Sequence, residues 1–233
     1  MNLIATYARF TWATGIFAAF SIALTGCTLP RSASTPLVYD FGPGSTQAVP
    51  AIRIANLPPL ELSAVQASTA LNSTAVFYRL AYADAQQLKP YTLARWSMPP
   101  AQLIGQRLRD RLGQRRPVVA PGDIFLAPPA RQSASQPVPV AKAESLMNLR
   151  LELEEFSQVF ETPDNSSGQL RLRATLMLRG PAGDTLVAQR SFYANQTATS
   201  ADASGGVRAL TAATDQAVTD IEAWLEQVAN ASQ

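Results

Sequence analysis

Val76-Phe-Tyr-Arg-Leu-Ala-Tyr82, then Lys89-Pro-Tyr-Thr-Leu-Ala-Arg-Trp96, Pro99-Pro100 and Leu103-Ile104, is the stretch on which the fold turns. Val76, Tyr78, Leu80 and Tyr82 alternate with Phe77, Arg79 and Ala81, the period of two of a strand. Large apolar groups stand on both sides of the alternation, so partial cover on both faces is expected. Asp84-Ala-Gln-Gln87 reads as a turn. Tyr91, Leu93 and Arg95 then alternate with Thr92, Ala94 and Trp96, and two such runs with a short polar link predict a hairpin. Pro99 and Pro100 suit a helix start, where the missing N–H costs nothing. Leu103/Ile104, Leu108 and Leu112 recur at helical spacing behind them.

Two sets of side chains in this stretch have functional readings. Tyr78, Tyr82, Tyr91 and Trp96 would line a groove or fill a core, since aromatics on alternating strands serve both ends. Arg107, Arg109 and Arg111, with Arg115 and Arg116, decorate the helix. They form either a surface for a partner or anionic lipid, or a solvated rim.

Downstream, Pro117-Val-Val-Ala-Pro121 and Ile124-Phe-Leu126 are short strand candidates. Residues from about 127 to 145 turn to Pro, Ala, Ser and Gln, which bury too little to offset the entropy of ordering, so a flexible insertion is expected. Leu149, Leu151 and Leu153 oppose Arg150, Glu152 and Glu154, and the phase slips at Glu155-Phe156, which predicts a bulge. Thr162 to Gly168 reads as a turn, Leu170 to Arg179 as a strand, Gly180 to Asp184 as a second turn. Leu186, Ala188, Phe192 and Ala194 make a third strand whose pattern Arg190 breaks. The set is an antiparallel meander with one apolar and one charged face, Glu152 and Glu154 lying across from Arg171 and Arg173. Val207, Leu210, Ala213, Ala217, Ile221, Trp224 and Val228 then form the stripe of a long amphipathic helix, with Asp215, Asp220, Glu222 and Glu226 on its remaining surface.

Upstream, Leu37 to Phe41 and Ala51 to Ala55 read as short strands ended by Gly and Pro, and Gln66 to Thr74 reads as a loop or short helix. Phe10 to Leu24 is apolar for about 15 residues, short of the roughly 20 that span a bilayer. It fits the core of a signal peptide and ends in Leu24-Thr25-Gly26-Cys27, which resembles a bacterial lipobox. The Cys27 sulfur would take a diacylglycerol and its freed amine a further acyl chain, and two or more chains anchor a protein stably. Thr28 after it favours the outer membrane. The expected organisation is a leader at 1–26, a lipidated tether at 27–36, and a single domain at 37–231.

Composition excludes several functions. The 233 residues contain no histidine and one cysteine. Ser-His and Cys-His nucleophile pairs and His-based metal sites are therefore unavailable. A net charge of +2 is too small for a nucleic-acid field. No Gly-x-Ser-x-Gly occurs. No catalytic residue, cofactor or metal is expected.

The succession Tyr39-Asp-Phe-Gly-Pro43, Phe77-Tyr-Arg79, Tyr91…Ala94-Arg-Trp96, Pro99-Pro100 and Leu103…Leu108…Leu112 resembles the ABC-type transport auxiliary lipoprotein family. The resemblance runs from about Leu37 to Val228. It implies a non-enzymatic periplasmic subunit working beside an MCE-domain substrate-binding protein, an ABC permease and an ATPase in lipid transport. The alternative is a general envelope-assembly or structural outer-membrane lipoprotein with no transporter partner. A homo-oligomer is left open. The fold expected is an α/β domain of α+β type: two layers, an antiparallel-rich mixed sheet with two amphipathic helices packed on it.

Overall fold

The computed structural model describes residues 34–44, 57–123, 146–180 and 182–231. Cys27, the expected strands at 51–55 and 124–126, and the 127–145 insertion lie outside the described residues. The described strands are β1 Leu37–Tyr39, β2 Leu60–Leu62, β3 Gln66–Ala67, β4 Ala75–Leu80, β5 Ala85–Trp96, β6 Val118–Val119, β7 Met147–Thr162, β8 Asn165–Gly180 and β9 Gly183–Thr197. The helices are α1 Ala81–Asp84, α2 Pro100–Gly113 and α3 Ala203–Ala231.

All nine strands join one open sheet of α+β type, with β7 as its spine. One edge of β7 carries β8 antiparallel along nearly its whole length, and β9 follows antiparallel on β8. The other edge carries three short parallel strands in turn: β2 at Met147–Leu149, β3 at Glu152–Leu153, and β4 at Gln158–Phe160. Outward from these, β6 pairs with β2, β5 with β4, and β1 with β5. The antiparallel pairings are the longest, as the alternation of 147–197 requires.

Alternation also sets the layers. Leu149, Leu151 and Leu153 point to the helix side with Leu170, Leu172, Ala174 and Leu176, and all are buried. A register shift between Leu153 and Glu155 then returns Phe156 to that side, which is the expected bulge. Leu103, Ile104, Leu108 and Leu112 of α2 share this core with Val207, Leu210, Ala213, Ala217, Ile221 and Leu225 of α3. The Phe192 and Trp224 rings meet edge to face, with centroids 5.7 Å apart. Burying these fourteen leucine, isoleucine and valine side chains at roughly 1.5–3 kcal/mol each makes this face the main source of stability.

Several local expectations are corrected. Gln66-Ala67 is a strand, because it completes the edge of β7 between β2 and β4. The hairpin link is one helical turn, α1, and β5 starts at Ala85. The turn after β7 is confined to Pro163-Asp164, since Thr162 already pairs with Asn165. Ser166 and Gly168 continue the strand because each has work on the helix side: Ser166 accepts a bond from Gln158, and Gly168 lies against α3. Leu186 is exposed, because β9 shifts register at Val187 and turns it off the core face. Arg190 lies with its guanidinium 5.3 Å from the Phe192 ring centre.

Candidate functional site

The basic stripe of α2 lies along α3. Arg107 and Arg111 share one face of α2, and Arg115, in the turn just past Gly113, continues their spacing of four. Asp215, Glu222 and Glu226 of α3 also fall on one face, and the two stripes meet. Arg107 Nε stands 3.2 Å from Asp215, and Arg111 Nε donates to Glu222 Oε2 at 2.8 Å. Arg115 pairs with Glu226 and lies 3.6 Å from Glu222 Oε1. Arg107 further donates to the Phe41 carbonyl and sits 5.9 Å from the centre of its ring. Its side chain is only 15% exposed, so it ties the end of β1 to both helices. Arg109 is exposed and has no partner among the described residues. Burial lowers the pKa of the Arg116 guanidinium, with Glu226 opposing and Arg115 reinforcing the shift.

Between the helices lies a cleft of about 300 Å³, walled by Arg107, Asp110, Arg111, Gln114, Asp215 and Thr219. A smaller hollow of about 120 Å³ adjoins it, between Asp40–Gly44, Met98 and Leu103. Both signs of charge line the cleft, so it concentrates neither anions nor cations.

The four aromatics singled out by sequence separate into three environments. Trp96 is in the core between Phe41 and Phe156, at 5.5 and 5.6 Å between ring centres, and its Nε1 has no hydrogen-bond partner among the described residues. Tyr78 stacks on Tyr91 at 4.6 Å and meets Phe160 at 6.0 Å. The Tyr91 hydroxyl donates to Gln158 Oε1 at 2.8 Å, and Gln158 Nε2 donates to Ser166 at 2.8 Å. Burial, then the neighbouring Tyr78 and Asp202, push the Tyr91 phenol above its ordinary pKa. Tyr82 stands half exposed on α1. These side chains do not share a groove.

One polar cluster escapes the sequence reading. Glu61, flanked by Leu60 and Leu62, is 2% exposed. Arg179 grips it with two parallel bonds of 2.6 and 2.8 Å, and Asn148 donates to it as well. Asn148 Oδ1 accepts in turn from Ser63 at 3.2 Å and Arg150 at 3.1 Å. The only hint in the sequence is a carboxylate between two leucines of a three-residue strand. A lone carboxylate clamped by arginine orders strands and leaves no free acid or base. On the same face Arg171 pairs with Glu154 at 2.9 Å, and Arg173 pairs with both Glu154 and Glu152. No group of three acidic, Cys or His side chains suited to a metal occurs among the described residues, and no described helix is long and apolar enough to cross a membrane.

Such a molecule is an open-sheet α+β domain with many of its charged side chains paired across elements, presenting edges and a helix rim. Residues 39–222 match the family described as ABC-type transport auxiliary lipoprotein component, and the chain belongs to that family of transport-associated lipoproteins. Among solved structures it is similar to XCC0632 from Xanthomonas campestris, at 15% identity, with a TM-score of 0.61 over 84% of this chain and 98% of that one. A second crystal structure, of a protein described as uncharacterized, aligns at 15% identity and TM-score 0.53 over 82% of this chain and 99% of its own. These likenesses support the fold. Curated proteins give no match.

Proposed function

We propose that this chain is a lipid-anchored periplasmic subunit, without chemistry of its own, of an MCE-associated ABC transporter that moves envelope lipids. Its acyl chains on Cys27 hold it at one membrane, the outer one, while permease and ATPase work in the inner one. The observation that carries the reading is the family match over residues 39–222, joined to Leu24-Thr25-Gly26-Cys27 at the end of the apolar run. A tethered domain gains effective concentration at such a junction and does not need a tight intrinsic affinity.

The partner surface is the outer side of α2 and the β9 edge of the sheet. Arg107, Arg109 and Arg111 were each candidates from sequence, and their geometry ranks them. Arg107 and Arg111 already hold Asp215, the Phe41 carbonyl and Glu222, whereas Arg109 is free to reach a partner. Crosslinking in the native envelope, with identification of the captured proteins, tests the proposal. An MCE protein or permease is expected, and Arg109→Glu should reduce its capture without altering the fold. Capture of neither, with envelope lipid integrity unchanged on deletion, would leave a structural envelope lipoprotein.

A further inference from the structure

Six large hydrophobic side chains stand exposed among the described residues, and three belong to one edge of the sheet: Leu37 at 63%, Val38 at 68% and Leu93 at 48%. Val38 pairs with Arg95, so Val38, Arg95 and Leu93 share one face across two strands, while Leu37, level with Ala94, stands on the other face of the same edge. Strand edges are normally shielded by charge, proline or cover. Here the outermost strand offers leucine and valine instead. Arg95 beside them is exposed and has no ion pair among the described residues, whereas the arginines of α2 and β8 that flank the helices and sheet are largely paired.

We propose that this β1–β5 edge is a membrane-surface contact, in which Val38 and Leu93 enter the interfacial layer of the bilayer and Arg95 on the same face meets anionic headgroups. The proposal rests on the lipid at Cys27. The chain between Cys27 and Leu37 selects a bilayer over a protein as the occupant. Those residues, Cys27 to Pro36, span at most about 35 Å when extended and on the order of 17 Å as a flexible coil. The apolar edge includes β1, the first described strand after Cys27 in the sequence, and so lies within that reach of the anchor. Two aliphatic side chains bind a bilayer weakly alone, but a tether turns weak contact into a preferred orientation. The edge lies down, and the opposite edge, β9, is turned away from the membrane.

Quenching in vesicles of phosphatidylethanolamine and phosphatidylglycerol tests this with the full, acylated chain. The Cys27 sulfur is consumed by its thioether, so Val38→Cys, Leu93→Cys and Tyr193→Cys each take a thiol fluorophore at one place. A nitroxide carried on the lipid chains should quench the labels at 38 and 93 several-fold more than the label at 193, and aqueous iodide should show the reverse order. Equal lipid-borne quenching at the three positions would overturn the proposal. Shielding of 38 and 93 from iodide without lipid-borne quenching would also overturn it, assigning the edge to a protein partner or second copy. Labelling of the unsubstituted chain, with an intact mass lacking acyl groups, would instead remove the anchor itself and with it the basis of the proposal.

Discussion

Replacing Gly168 with alanine measures how closely α3 sits on the sheet. A Cβ at this position would lie 2.6 Å from the Ala209 carbonyl carbon, 2.6 Å from the Leu210 nitrogen and 2.9 Å from the Ala209 Cβ. Carbon contacts are comfortable from about 3.5 Å, so helix and strand must part locally by nearly 1 Å. The opposing atoms are backbone of a 29-residue helix, which cannot swing aside as a side-chain tip would. Gly168 has no positive φ, so alanine accepts the backbone conformation and the cost is packing alone. Overpacking of this kind costs about 1–3 kcal/mol, because Leu210, Ala213 and Ala217 lose contact with β7 and β8 as the helix lifts. At about 2–4 °C per kcal/mol for a domain of this size, the melting temperature should fall by roughly 2–12 °C. Gly113→Ala is the control: nothing lies within 4 Å of its added methyl, and stability should hold or rise by up to about 1 kcal/mol. Thermal unfolding of a chain beginning at Ser34, followed by circular dichroism, reads both. A Gly168→Ala protein that melts at or above the unsubstituted one would show that α3 does not rest on β8 at this distance.

Tyr91→Phe removes the donor to buried Gln158 and should destabilise by about 1–3 kcal/mol in urea unfolding. Because the folded-state phenol is raised, its contribution is full below about pH 10 and is lost as pH rises further, a decline the Phe variant should not share. Asp202 caps α3 by accepting from the Gly205 amide at 2.7 Å, and that bond, with Ser200 next, lowers its carboxyl pKa. Its contribution should be full above about pH 4 and vanish as pH falls through the depressed folded-state value; Asp202→Ala should cost about 0.5–2 kcal/mol at neutral pH and flatten the acid limb. Arg179→Ala strands the Glu61 charge on a buried strand and should cost about 1–3 kcal/mol, less than a fully buried pair because Arg179 is half exposed. Adding Glu61→Gln should recover part of that loss in a double-mutant cycle.

Periodicity made the long elements legible. The leucine alternations of 149–153 and 170–178 and the stripe from Val207 to Val228 each repeat enough to fix type and buried face. The bulge before Phe156 was readable because it breaks a strong pattern. β3 was not, since two residues carry no period and only the free edge of β7 makes them a strand. The charged faces of α2 and α3 misled for a related reason. Each looks like a solvent face alone, and only their matched spacing, Arg107, Arg111, Arg115 against Asp215, Glu222, Glu226, tells that they meet. Tyr91 and Trp96 share a strand but not a place, because the irregular register of β5 between Pro90 and Arg95 sends Tyr91 to Tyr78 and Trp96 to the core. Glu61 was silent, since burial of a lone carboxylate depends on partners more than 80 residues away.

The spine position of β7 also sets the order in which the chain can find itself. β3 has no strand to pair with until Glu152 and Leu153 have been made, and β2 waits nearly as long for Met147–Leu149. The segment 147–231 is different: β7, β8, β9 and α3 follow one another directly and close mostly local contacts. A chain made from its N-terminus therefore carries its least self-sufficient strands first and its nucleus last. Until those strands form, Leu60 and Leu62 have only the two residues of β6 to pair beside, and any factor that escorts the nascent protein has its clearest target there rather than in the finished fold.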